Sequence, residues 1–201
     1  MNLAKDIICN TKDVSAEYLE LGIDALSQEK VIKDIPVVST IMSIFRVGGS
    51  IKQAFFCKKL INFLYNMNDI SLSERQKFYD KSIKDDIDFG EKLIYTLDSL
   101  DEVKKAEYLA KLYKAYSDGK INYQEFRRLC IALIQLFIDD IEYIKNNANR
   151  EIILGVIGRA LNSVGLARKL TVVESDEFDA GDKEPFYCTT LAFKLKECLE
   201  N

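Results

Sequence analysis

The chain has 201 residues, 28 lysines and arginines against 32 aspartates and glutamates, five cysteines, no tryptophan and no histidine. Without imidazole there is no Ser-His-Asp triad, no Cys-His pair, no histidine-ligated zinc and no HExxH site. A net charge of −4 excludes a protein that holds nucleic acid through its overall charge.

Two prolines and nine glycines are few, which favours long helices over short strands. In chain order, residues 13–28 read as a helix carrying Tyr18, Leu19, Leu21, Ile23 and Leu26. Pro36 suits a helical first turn, so a helix is expected from there to about Val47. Gly48-Gly49-Ser50 interrupts it, and a second helix is expected from Ile51 to about Asn66. Ser71 and Glu74 form a capping-box pattern ahead of a helix over 72–83. Further helices are expected over 86–99, from a cap at Asp101 to about Ser117, over 122–146, and from Arg150 to Val164, where Gly165 ends the last. Leu170–Val173 and Phe186–Thr189 are strand-like, and Thr190 can cap a final helix.

These elements predict a mainly α fold: a multi-helix bundle over 1–147 and a small C-terminal α+β module over 148–201 with one β-hairpin. Cys9, Cys57, Cys130, Cys188 and Cys198 are odd in number, widely spaced and without a CxxC. They read as small core residues of a protein kept in a reducing cytoplasm, with Cys188 and Cys198 the more open to solvent. Met1–Asp6 has no signal-peptide core, and no uncharged apolar run reaches the roughly 18 residues of a membrane span.

Residues 35–68 contain no carboxylate and four cations, Arg46, Lys52, Lys58 and Lys59, among large apolar side chains such as Ile41, Phe45, Phe55 and Phe56. Apolar helices flanked by cations suit a membrane interface, where lysine and arginine meet anionic lipid. The simpler reading is a central core helix. Arg46, Lys52, Phe55, Phe56, Lys58 and Lys59 are the candidate contact residues, for a protein partner, a second copy or the inner face of a membrane.

Asp118-Gly119-Lys120-Ile121-Asn122-Tyr123-Gln124-Glu125-Phe126 resembles the second half of an EF-hand loop. Calcium also needs oxygen ligands at the loop's first and third positions, here Lys114 and Tyr116. A corner between helices is expected instead, with Gly119 left-handed and Ile121 plugging the core. Similar D-G-K-I corners occur in helical bundles of the tellurite-resistance type.

Leu161-Asn162-Ser163-Val164-Gly165-Leu166, a strand, a polar hairpin and Tyr187-Cys188-Thr189-Thr190-Leu191 follow in order. This resembles the end of a winged-helix domain, in which a helix closes on L-x-x-x-G-L and a wing leads into a Y-x-L-T-x-L-G strand. Cys188 replaces the usual leucine and Ala192 the usual glycine. The resemblance implies a nucleic-acid-binding regulator, with Arg159, Arg168 and Lys169 as the basic edge. The loop over 174–184 holds six carboxylates against Lys183 and would repel phosphate.

Asp85, Asp86 and Asp88, and Asp139, Asp140 and Glu142, are the carboxylate clusters of a metal-dependent enzyme reading. Adjacent helical residues diverge by about 100°, so such a pair makes no site alone. No nucleotide-binding or nucleophile-elbow motif is present, and no catalytic residue, cofactor or metal is assigned. The segment order, with K-D-I-P-V-V-S-T-I, F-C-K-K-L-I-N-F-L and K-I-N-Y-Q-E-F-R-R-L, resembles small helical proteins of bacteria and their prophages. That group carries no established activity. The expected function is non-catalytic: an interaction or regulatory protein, with bacterial defence or prophage exclusion as its setting by analogy.

Overall fold

A computed structural model describes residues 14–26, 51–148, 152–170 and 184–200, together with Lys5, Ile8 and Cys9. The helix expected over Pro36–Val47, with Ile41, Phe45 and Arg46, lies outside the described residues. The described residues are mainly helical, and the chain divides into two compact units, Met1–Ala110 and Lys111–Asn201. The second takes in the expected 148–201 module together with the helices before it.

In the first unit, a 3-10 turn at Ala16–Leu19 and a short α1 at Ile23–Leu26 stand where one helix was expected. The Ser15 hydroxyl caps the turn, accepting from the Glu17 amide, and Glu20-Leu21-Gly22 separates the two pieces. α2 (Ile51–Tyr65) is the core helix. It buries Ala54, Phe56, Cys57, Leu60, Ile61, Phe63 and Leu64, a face too broad for one neighbour. It therefore packs on α1, on the 3-10 turn and on α4 (Phe89–Ser99). α3 (Leu72–Asp85) packs on α4 and starts with the predicted capping box. Ser71 accepts from the Glu74 amide, and the Glu74 carboxylate accepts from the Ser71 amide. Between α2 and α3, the buried Arg75 guanidinium donates to the carbonyls of Met67 and Ile70, tying the loop to the start of α3.

α5 (Lys104–Ser117) begins three residues after the expected Asp101 cap, whose carboxylate instead takes the buried Lys105 ammonium at 2.5 Å. The helix ends at the predicted corner. Gly119 has φ +76°, its amide donates to the Tyr116 carbonyl, and the Lys120 amide donates to the Ala115 carbonyl. That is a Schellman motif, with Ile121 buried beneath it.

In the second unit, α6 (Tyr123–Gln135) opens on a second capping box, Asn122 with Glu125. The long helix expected over 122–146 is broken. Leu136 and Phe137 are extended, with ψ 149° and 154°, and α7 runs Ile138–Asn147. The break turns Leu136 inward and leaves Phe137 73% exposed. Asp139 and Asp140 thereby fall in a helical first turn, where carboxylates offset the helix dipole.

The expected helix from Arg150 is also corrected. Ile152–Leu154 form strand β1, and Gly155, at φ +67°, turns the chain into α8 (Gly155–Ser163). β-branched Ile152 and Ile153 suit a strand, and the left-handed glycine separates the two periods. β2 (Ala167–Lys169) and β3 (Pro185–Cys188) form a hairpin as expected, but β2 lies ahead of the strand expected over Leu170–Val173, of which 171–173 lie outside the described residues; β1 adds to the hairpin's far side, giving an antiparallel sheet of order β1-β3-β2. Ile153 pairs with Phe186, and Ala167 with Cys188, so these four buried side chains share the sheet face covered by α8. α8 ends in another Schellman motif at Gly165, which joins buried Leu161 to buried Leu166. The final helix, α9 (Thr190–Glu200), packs on α6, α7 and β3. The Thr189 hydroxyl, one position earlier than the expected cap, donates to the Gly165 carbonyl at 2.8 Å.

Candidate contact surfaces

The proposed contact residues on α2 separate into two sets. Phe56 (7% exposed) and Lys59 (5%) are core, which corrects their assignment to a surface. Lys59 points to the end of α4. Its ammonium donates to the carbonyls of Asp98 at 2.5 Å and Leu100 at 2.7 Å, groups the helix end leaves unpaired. One turn on, Asn62 donates to the Val103 carbonyl at 2.9 Å, so α2 grips the whole α4–α5 turn. Burial pushes the Lys59 ammonium below its ordinary pKa, while Asp98 and Asp101 pull the other way.

Ile51 (70% exposed), Lys52 and Phe55 (40%) form the outer edge of the first turns of α2, and Lys58 is half-buried one turn further. Ile51 and Phe55 are four residues apart and share a face. The helix carries no carboxylate. Arg46 lies outside the described residues.

The basic residues of the sheet module are placed together but committed. Glu184, just before β3, pairs with Arg159 of α8 at 3.7 Å and with Lys169 of β2. Those partners, Lys169 foremost, hold its carboxyl below the usual range. Arg168 alternates to the opposite sheet face beside Tyr187 and is exposed. The acidic loop over 174–183 lies outside the described residues.

Sequence reasoning missed the outward face of α6. Gln124, Arg127, Arg128, Ile131 and Gln135 are exposed, opposite buried Phe126, Leu129, Cys130 and Leu133. The signal was the Arg-Arg pair on an amphipathic helix, masked there by the broad apolar face drawn across the α6–α7 break.

Asp139 is exposed and Asp140 half-buried. Asp86 is engaged with Lys92 and accepts from the Asp88 amide at 3.0 Å. Among the described residues no group of three or more cysteine or carboxylate side chains could hold a metal ion. All five cysteines are free thiols and buried, including Cys188 and Cys198, which were expected to be more open. Burial pushes Cys57 and Cys198 up to about 11 and raises Cys130 and Cys188 as well, so these positions resist thiolate formation. No helix among the described residues is long and apolar enough to cross a membrane. The chain matches no protein-family model, no curated protein and no solved structure.

Proposed function

We propose that the chain is a non-catalytic interaction or regulatory protein that meets a protein partner, or a second copy of itself, through the outer edge of α2. The observation that carries this is the exposure of Ile51 and Phe55 beside Lys52 on a helix without a carboxylate. Large apolar side chains grouped in water mark contact surfaces, and an exposed aromatic such as Phe55 is what interface centres favour. Lys59 and Phe56 support the edge from behind, because their fixed packing holds α2 rigid. By analogy alone with small proteins of bacteria and prophages, the setting proposed for such a contact is bacterial defence or prophage exclusion.

A photo-crosslinking phenylalanine analogue at position 55, introduced in cells that express the chain, tests this. A covalent adduct at 55 and none at buried 56 is the expected result, and the adduct mass separates a second copy from another protein. No adduct at 55, or flotation of the chain with anionic vesicles in its place, removes the reading.

A second reading is a winged-helix-like regulator, favoured by the β2–β3 hairpin leading through Thr189 into α9. It is weakened by Glu184, which offsets part of the charge of Arg159 and Lys169, and by the single helix, α8, between β1 and β2.

A further inference from the structure

The outward face of α6 has a composition different from the edge of α2. Gln124, Arg128, Ile131 and Gln135 stand at spacings of four, three and four residues, so they form one strip about 16 Å long. Arg127 flanks that strip, with its guanidinium 5.9 Å from the centroid of the Tyr123 ring. Such a stack orients the guanidinium plane and leaves its N–H edge for an acceptor. The one carboxylate of the helix, Glu125, is turned away. One of its oxygens takes Lys194 at 2.7 Å and the other accepts from the Asn122 amide at 3.0 Å. The exposed strip therefore carries cations and amides without a competing anion.

The helix is also held firmly at its start. The Schellman corner at Gly119 and the Asn122–Glu125 capping box fix its first turn, and the Tyr116 ring stacks on Phe126 with centroids 5.2 Å apart. The polar outward face of α6 therefore starts from a fixed end.

We propose that this face of α6 binds the phosphate backbone of a nucleic-acid duplex, with Arg127 and Arg128 each taking phosphate oxygens. Planar, permanently charged guanidinium groups match phosphate in a two-pronged manner, and the amides of Gln124 and Gln135 extend the same row toward sugar and base edges. Charge complementarity selects an anionic partner. The absence of an exposed aromatic anchor on the strip, where Ile131 is the one large apolar group and is 46% exposed, favours a phosphate backbone over a protein surface. This site uses none of the residues of the α2 edge and neither Arg159 nor Lys169, so it does not rest on the proposed protein contact.

The experiment is fluorescence anisotropy of the full chain with a labelled mixed-sequence DNA duplex and its RNA equivalent, over a salt series. Wild type is expected to bind at least one duplex at low salt. Arg127→Glu/Arg128→Glu should weaken binding by at least about tenfold and reduce the dependence of log K on log salt by about two. Arg127→Gln/Arg128→Gln, which keeps good helix formers, should show the same slope change with less repulsion. Arg159→Glu/Lys169→Glu should bind like wild type. No binding of either duplex at low salt overturns the proposal, as does binding that survives both α6 variants or disappears instead in the Arg159/Lys169 variant. Capture of a labelled polyglutamate peptide without duplex binding also overturns it, and assigns the strip to an acidic protein.

Discussion

Gly158 sits in the middle of α8, where glycine costs about 1 kcal/mol relative to alanine. Gly158→Ala should nonetheless destabilise the protein. A Cβ there would stand 2.2 Å from Cδ2, 2.8 Å from Cγ and 3.0 Å from Cε2 of Phe186. Carbon atoms rest about 3.5–4.0 Å apart, so helix and strand must separate by more than about 1 Å. The Phe186 ring has little room to yield, since it is buried on the central strand and paired across the sheet with Ile153. Overpacking costs up to about 3 kcal/mol, and losing the packing of a buried phenylalanine up to about 5 kcal/mol. Less the helix-propensity gain, the net loss is about 2–4 kcal/mol. For a chain of this length that is a fall in Tm of at least about 4 °C.

Thermal and urea unfolding followed by far-UV circular dichroism read this directly, with Gly22→Ala as the control. No atom lies within 4 Å of a Cβ at Gly22, so that variant should unfold within about 0.5 kcal/mol of wild type. A Gly158→Ala/Phe186→Leu double variant should lose less than the sum of its singles, because shrinking the ring relieves the overlap. If Gly158→Ala is as stable as wild type, the close approach of α8 to β3 does not set the geometry of the module, and the reasoning fails.

Lys59→Met should cost about 1–3 kcal/mol, because it strands the buried Leu100 carbonyl and the part-buried Asp98 carbonyl, and urea unfolding measures it. The same variant should lose a stability gain in alkali. Burial lowers the folded pKa of Lys59, so the unfolded chain binds the proton more tightly, and wild-type stability rises as pH climbs from the folded toward the unfolded value. Glu125→Gln should act at the other end of the scale. Lys194 first, then the Asn122 amide, holds the Glu125 carboxyl low, so its contribution is present above the unfolded value of about 4.3 and is lost as pH falls through the folded one. Unfolding scans from pH 6 downward should show a shallower acid limb for the variant, with a difference of at most about 1 kcal/mol for this part-exposed pair; an unchanged limb removes the argument.

What could be read in the sequence was local. The Ser71–Glu74 capping box, the left-handed Gly119 above buried Ile121 and the closing glycine at 165 are fixed by residues within one turn of each other, and all formed as expected; the Asn122–Glu125 box is equally local but was not read. The errors came where tertiary packing outranked pattern. Leu136 and Phe137 continue a helical apolar rhythm with no glycine or proline between them, yet the chain extends there to bury one and expose the other. Ile152-Ile153-Leu154 fits a helix as well as a strand, and its partner Phe186 is more than thirty residues away. Fold class was therefore legible, while the third strand was not.

The cations show the same limit with more consequence for function. In sequence Lys52, Lys58 and Lys59 form one basic stretch, and Arg159, Arg168 and Lys169 another. The fold treats them unequally. Lys59 is buried on helix-end carbonyls, and Arg159 and Lys169 share the single carboxylate of Glu184. A buried or paired cation contributes to packing and offers little field to a ligand. Arg127 and Arg128 have the opposite fate, because the carboxylate nearest them in sequence is drawn off by Lys194. The count of charges along 35–68 and 148–201 does not by itself say which basic groups are engaged and which stay exposed. Which cations can meet a partner is decided by where the carboxylates go, and those pairings span up to 69 residues of chain.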